Sequence, residues 1–362
     1  MGRDAEVLTK KIQEIKDNLD KEARRLNSQV NLMEVCGTHT MAIFRYGIRK
    51  LLPPQLRHIS GPGCPVCVTP GEVIVSACKL AQIEGVMVTT FGDMVRVPAV
   101  RGESLASVRS RGGQVRVVFS PFQALELAKD NPSFKIVFIS IGFETTAPLI
   151  ASVVETADNL GLKNFFILPA NKLIPPAMEY LLNSGEINIH GFLAPGHVSV
   201  ITGAAGFKHI VDKYKIPCVI TGFEPADILE GIYMLVKQIV RGESLLEIQY
   251  KRCVKWEGNL LARSLMERIF YPVDSCWRGI GVIPMSGLAL RKEFNRFSAG
   301  KEFSLKEEQI ELPAGCLCGE VLKGVVEPKD CPLFGKICRP SQPVGPCMVS
   351  SEGSCAAYYK YG

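Results

Sequence analysis

Along residues 1–27 apolar side chains recur at Leu8, Ile12, Ile15, Leu19 and Leu26, with charged residues between them, and the spacing predicts one amphipathic helix. The stripe lasts only about three heptads, so it is expected to pack on the body of the protein rather than form a coiled coil. From residue 31 short β-rich runs alternate with helical ones. Strands are predicted at 32–35, 57–60, 85–90, 135–141, 164–168, 187–193 and 216–220. Helices are predicted at 71–82, 121–129, 146–160, 176–182, 203–214 and 225–240. Strands alternating with helices imply βαβ units around parallel sheets.

The motif VRGESL at Val100–Leu105 returns at Val240–Leu245, and Gly142-Phe143-Glu144 returns as Gly222-Phe223-Glu224 after a similar strand. Both echoes point to two related α/β halves, with a boundary expected in the polar segment 129–133. The expected organisation is an N-terminal helix at 1–30, α/β domains at 31–130 and 131–245, and a mixed region at 246–362. That last region contains Trp256, Trp277 and a glycine-rich stretch from Gly279 to Gly287. Gly279-x-Gly281 matches half of a dinucleotide fingerprint, but Pro284 stands where the third glycine belongs, and no P-loop pattern occurs.

Composition narrows the function classes. Apolar residues make up 47% and charged residues 22% of the 362, which is ample for buried cores and inconsistent with a disordered chain. The net charge of +6 is spread without a long basic run, so nucleic-acid binding is not indicated. No apolar run approaches the roughly 18 residues of a membrane span, and the first residues lack an apolar signal core. A soluble, cytoplasmic protein without a membrane partner is expected.

Thirteen cysteines in such a compartment point to metal binding or redox chemistry rather than structural disulfides. Six of them, Cys316, Cys318, Cys331, Cys338, Cys347 and Cys355, fall in the tail with the spacing C-x-C-x12-C-x6-C-x8-C-x7-C and no intervening histidine. Clustered thiolates favour an iron–sulfur cluster, with zinc as the alternative. Four ligands suffice for a cluster, which leaves two thiols for a redox pair beside it.

Further polar clusters sit where strands are expected to give way to helices, the edge of a parallel sheet at which ligands bind. In Cys36-Gly-Thr-His-Thr40 the thiolate of Cys36 is expected to be stabilised by the start of the following helix, with His39 on the same side of the first turn. Cys36 could ligate a metal or attack an electrophile, or be an inert buried thiol. In Gly61-Pro-Gly-Cys-Pro-Val-Cys67 the pair Cys64 and Cys67 precedes a helix, an arrangement that suits dithiol–disulfide cycling or half of a zinc site. Asp93, Glu144, Asn171, Lys172, His197 and Glu224 are expected at the same edge as acid–base or hydrogen-bonding groups. Cys78, Cys218, Cys253 and Cys276 are isolated and read as packing residues.

The joint occurrence of Cys36-Gly-Thr-His-Thr40, Gly61-Pro-Gly-Cys-Pro-Val-Cys67, Gly142-Phe-Glu-Thr-Thr-Ala-Pro148, Pro195-Gly-His-Val-Ser199 and the six-cysteine tail resembles the HypD family of hydrogenase maturation factors over essentially the whole chain. The resemblance implies two α/β domains plus a small cysteine-rich iron–sulfur domain. It also implies a scaffold, working with HypC and receiving cyanide from HypE, on which the Fe(CN)2CO unit of nickel–iron hydrogenases is built. By that resemblance Cys36 binds the transient iron, which carries cyanide and carbon monoxide, together with a cysteine of HypC. His39 supports that site, and Cys64 and Cys67 form a redox pair; Glu144 and His197 stay candidates for the active edge by the residue pattern alone. A 4Fe-4S cluster would be held by Cys316, Cys331, Cys338 and Cys355, with Cys318 and Cys347 as the adjacent disulfide. The rival readings are a free-standing thiol–disulfide reductase using Cys64 and Cys67, and a zinc-stabilised interaction module.

Overall fold

The computed structural model describes residues 2–99, 102–305, 310 and 312–362, with side chains in the first helix described from Val7 onward. Among the described residues eleven strands form two parallel sheets and one hairpin. They are β1 (Val30–Glu34), β2 (Leu56–Ser60), β3 (Val86–Thr90), β4 (Val115–Val117), β5 (Lys135–Ser140), β6 (Phe165–Pro169), β7 (Gly191–Pro195), β8 (Cys218–Thr221), β9 (Leu246–Ile248), β10 (Phe270–Trp277) and β11 (Gly281–Leu290). The α/β class with parallel sheets is as expected, and helices lie between successive strands as parallel pairing requires.

The order of strands is where the expectation gives way. The first sheet runs β2-β1-β7-β8-β9 and the second β4-β3-β5-β6. The chain therefore begins one sheet, leaves it after β2 to build the other, and returns at β7. The boundary expected within 129–133 falls between β4 and β5, which belong to the same sheet on either side of β3. Polarity marked a surface loop there, not a division between domains. The two copies of VRGESL also differ in structure, whereas both copies of Gly-Phe-Glu follow a parallel strand and lead into a helix. Val100 and Arg101 lie outside the described residues; Gly102–Ser104 lead into the helix Leu105–Ser110, whereas the second copy ends the helix Pro225–Arg241.

The first helix, Gly2–Ala23, lays its apolar stripe on the helix Pro225–Arg241, burying Leu19 and Ala23 completely. The same core joins Val30 and Leu32 of β1 with Leu193 of β7 and Val219 of β8. Full burial of one such leucine contributes about 1.5–3 kcal/mol, so Leu19 anchors a helix whose other faces are solvated. The predicted helix at 203–214 is interrupted. A helix Gly196–Thr202 ends before Gly203, a 3-10 turn covers Ala204–Phe207, and a second helix runs Lys208–Tyr214. Gly279 and Gly281 flank the turn of the β10–β11 hairpin, not a strand-to-helix turn, so the half fingerprint has no nucleotide-binding context. Among the described residues no helix is long and apolar enough to cross a membrane.

Candidate functional site

The parallel register aligns the ends of β1, β2, β7 and β8, with Glu34 opposite both Ser60 and Leu193. Four of the polar clusters therefore leave one sheet edge: Cys36–Thr40, Gly61–Cys67, Pro195–Ser199 and Thr221–Glu224. Clusters at Phe91–Asp93, Gly142–Thr146 and Ala170–Lys172 leave the second sheet instead, after β3, β5 and β6. The single edge expected from the sequence is thus two edges.

Cys36 caps the helix Gly37–Arg45 in an extended conformation. The Gly37 amide donates to the Gly63 carbonyl at 2.7 Å, which joins the loop to the CPVC loop. A Cβ at Gly63 would collide with the amide nitrogen and Cα of Cys36, so only glycine permits this approach. The amides of His39 and Thr38 at the helix start act to lower the Cys36 pKa, as the helix-start argument requires, but no cap hydrogen bond to the side chain forms, and burial dominates and pushes the thiol up to about 12. Helix-end dipoles are worth about 0.3–2 kcal/mol, less than the desolvation of a buried thiolate. In the free chain Cys36 is a protonated thiol, and a metal or other cation is needed to make it a thiolate.

The His39 ring turns toward the Thr221–Gly222 segment. Its Nε2 lies 2.8 Å from the Gly222 carbonyl and 3.0 Å from Thr221 Oγ1. A carbonyl only accepts, so Nε2 carries the proton and Nδ1 is left as a buried acceptor with no partner among the described residues. Burial lowers its pKa to about 4, which keeps it neutral. Phe223 lies between two imidazoles, its ring centroid 4.7 Å from His39 and 3.8 Å from His197, so His197 joins the site by stacking.

Cys64 caps the short helix Pro65–Val68 and its sulfur accepts the Cys67 amide at 3.4 Å. Cys67 is fully buried within the interaction range of Cys64 and Cys347. Cys347 lies near Cys318 and Cys355 in the same core, and the Cys316 and Cys318 sulfurs both lie beside Gly345. Burial pushes Cys67 well up, opposed by the influence of Cys347 and reinforced by that of Cys64; for Cys347 and Cys316 the proximity of Cys318 is the largest cause of a raised pKa. The CPVC loop and the tail thus bury their thiols in one cluster. Cys338 interacts electrostatically with Cys318 and Cys316, while the Cys331 sulfur faces the Gly315 carbonyl at 3.8 Å. Among the described residues no three Cys, His, Asp or Glu side chains surround a common point as ready-made metal ligands.

Comparison with known proteins agrees with this pattern. The HypD profile, described as "Hydrogenase formation hypA family", matches residues 8–362. The chain belongs to the HypD family. It is 46% identical over 340 residues to the hydrogenase expression/formation protein HupD of Azotobacter chroococcum, covering 92% of this chain and 90% of that one. To the hydrogenase maturation factors HypD of Azotobacter vinelandii and Escherichia coli it is 46% and 43% identical, over 92% of this chain in each case and 90% and 89% of theirs. Its role therefore lies in hydrogenase formation.

In this HypD-family chain the second sheet edge is locked internally. Glu144 is buried, with Oε1 accepting the Ile174 amide at 2.9 Å, Oε2 without a partner among the described residues, and its pKa raised to about 7 by burial. Asn171 donates to the Gly142 carbonyl, and the Lys172 ammonium donates to Ser275 Oγ at 2.5 Å. Glu224 caps the helix Pro225–Arg241 through its backbone, and Asp93 is exposed in a 3-10 turn. Cys78 and Cys218 are buried in regular elements, while Cys253 and Cys276 are exposed.

Two carboxylates at the Cys36 loop carried no motif. Glu34 is fully buried; its Oε2 accepts the Cys36 amide at 2.8 Å and its Oε1 the Thr40 hydroxyl at 2.5 Å. Burial raises its pKa to about 7. The signal that could have found it is a charged residue inside an apolar strand, two positions before the cysteine. Glu352, from the tail, accepts the Thr38 hydroxyl at 2.8 Å and its backbone and side chain lie against Gly37. Nothing in the sequence pairs it with residue 38.

Proposed function

We propose that this HypD-family chain is a cytoplasmic scaffold and redox protein for assembly of the Fe(CN)2CO unit of nickel–iron hydrogenases, acting in complex with HypC and receiving cyanide from HypE. The observation that carries the reading is the joint burial of Cys64 and Cys67 with Cys347 and Cys318 in one core, beside the loop that presents Cys36. The iron is cargo: Cys36 holds it with a cysteine of HypC, and His39 and Glu34 hold the loop. A soft thiolate suits iron carrying cyanide and carbon monoxide, and burial shelters the assembly from water.

The tail donor set fits an iron–sulfur cluster in its chemistry, with six thiols and no histidine from 316 to 355. Cys316, Cys331, Cys338 and Cys355 are the ligands in this reading. Cys318 and Cys347, buried in the same core, are then the adjacent disulfide pair. When bound, the cluster supplies single electrons. The chain's own thiols relay redox equivalents by exchange within that core, among Cys318, Cys347, Cys67 and Cys64.

Replacing Cys36 tests the proposal. Cys36→Ala is expected to abolish cyanide and carbonyl stretching bands in the complex with HypC, and hydrogenase activity with them, while the tail retains its iron and sulfide. Normal maturation by Cys36→Ala would refute it.

A further inference from the structure

Glu144 lines a cavity of about 350 Å³ where elements from both sheets meet. Pro175 and Pro176 come from the helix Ile174–Ser184 after β6, Ile201 and Thr202 from the helix Gly196–Thr202 after β7, and Arg263 and Met266 from the helix Leu260–Ile269. Glu144 is 2% exposed; its Oε1 accepts the Ile174 amide at 2.9 Å, and its Oε2 has no partner among the described residues. Donors along the walls are committed elsewhere. The Leu173 amide donates to the Ser286 carbonyl at 2.8 Å, the Ala205 amide to the Trp256 carbonyl at 3.0 Å and the Thr202 hydroxyl to the Val198 carbonyl at 3.2 Å. Pro175 and Pro176 have no N–H to offer. Arg263 donates Nη1 to the Glu257 carbonyl at 3.0 Å and forms no ion pair with Glu144 among the described residues. Burial raises the Glu144 pKa to about 7, yet protonation only exchanges an unpaired acceptor for an unpaired donor. A buried polar atom in this state costs free energy that a ligand can recover.

The arrangement selects the chemistry of that ligand. A charge-assisted bond to the carboxylate is about twice as strong as a neutral one, which favours a cation. Only one carboxylate oxygen is open, which suits the point donor of an ammonium and not the two-pronged fork of a guanidinium. Leu173, Pro175, Pro176, Ile201 and Met266 give the cavity an apolar wall, and its volume is near the lower end for ligand sites, so the body carrying the ammonium is short and apolar. Glu267, exposed one position after Met266, adds a second negative charge to the lining. We propose that this cavity is a binding site for a small primary amine, held in its ammonium form with one N–H donated to Glu144 Oε2 and its apolar body against Ile201 and Met266. None of these groups belongs to the thiol cluster, so the site does not depend on the redox reading.

The test uses the full chain, titrated calorimetrically near neutral pH with n-pentylammonium as the probe. One site per chain is expected, with binding at least about tenfold tighter than that of 1-pentanol, which matches the probe in length without its charge. Glu144→Gln is expected to weaken n-pentylammonium at least about tenfold and to leave 1-pentanol within about threefold. Equal affinity of wild type and Glu144→Gln for n-pentylammonium overturns the proposal, as does 1-pentanol binding as tightly as the amine, or no binding of the amine at all. N-acetyl-lysine methylamide carries the same ammonium on a protein-like backbone and is expected to bind at least about tenfold more weakly than n-pentylammonium. Equal binding overturns the assignment to a small ligand, in favour of a lysine side chain presented by a partner. Should Glu144→Gln not fold, wild type decides. Arg263 and Glu267 are the other ionisable residues of the lining, and Glu144 is the buried one that holds a proton at about pH 6. Titrations there in two buffers of different ionisation enthalpy are expected to show about one proton released per amine bound, and no release overturns the proposal.

Discussion

Cys67 and Cys347 are buried in one core cluster of thiols, although one lies in the short helix after β2 and the other in the tail. A disulfide forms with little backbone movement between thiols that are close neighbours. In a Cys64→Ser/Cys318→Ser double variant, mild oxidation is therefore expected to trap an internal Cys67–Cys347 bond, visible as a linked peptide pair by mass spectrometry. Recovery of both residues as free thiols under conditions that oxidise Cys64 and Cys67 in wild type would contradict their proximity.

Gly63 lets the two loops meet. A methyl group there has to displace the Cys36 amide, so Gly63→Ala is expected to cost about 1–3 kcal/mol, read as a lowered denaturation midpoint. It is also expected to impair maturation while Cys36, Cys64 and Cys67 are all intact. Unchanged stability would mean that the loops are not packed as described.

Glu144 makes stability depend on pH. Its folded pKa of about 7 lies above the ordinary value of 4.5, so the folded state binds the proton more tightly. The associated stability is fully present below about pH 4.5 and is lost as pH rises through about 7. Glu144→Gln retains an oxygen for the Ile174 amide and removes the titration. The difference in unfolding free energy between Glu144→Gln and wild type is expected to grow in favour of the variant between pH 5 and 8, by about 1–3 kcal/mol. A difference independent of pH would exclude a buried, titrating Glu144.

Much of this molecule is legible in the amino-acid order, for identifiable reasons. Ile136–Ile139 and Val219–Ile220 read as strands because buried parallel strands are apolar on both faces. The hairpin β10–β11 was missed because buried and exposed positions do not alternate cleanly along it, prolines interrupt both strands at Pro272 and Pro284, and its register shifts between Val273 and Ser275. Strand partnership was not legible at all: Met33 of β1 pairs with Phe192 of β7 across the inserted second sheet, and no local pattern encodes that. At the site, Cys36, Cys64, Cys67 and the tail thiols announced themselves by spacing. Glu34 did not, because its place beside Cys36 is a buried position that only the folded chain defines.

Metal and sulfide content of the anaerobically purified full chain tests the central claim most directly, measured in parallel for wild type and Cys331→Ala. The redox-scaffold account predicts about four irons and four acid-labile sulfides per wild-type chain, lost in the variant, with no stoichiometric zinc. One zinc and no sulfide in wild type would contradict it, leaving the tail as a structural module with no electrons to pass to Cys318 and Cys347.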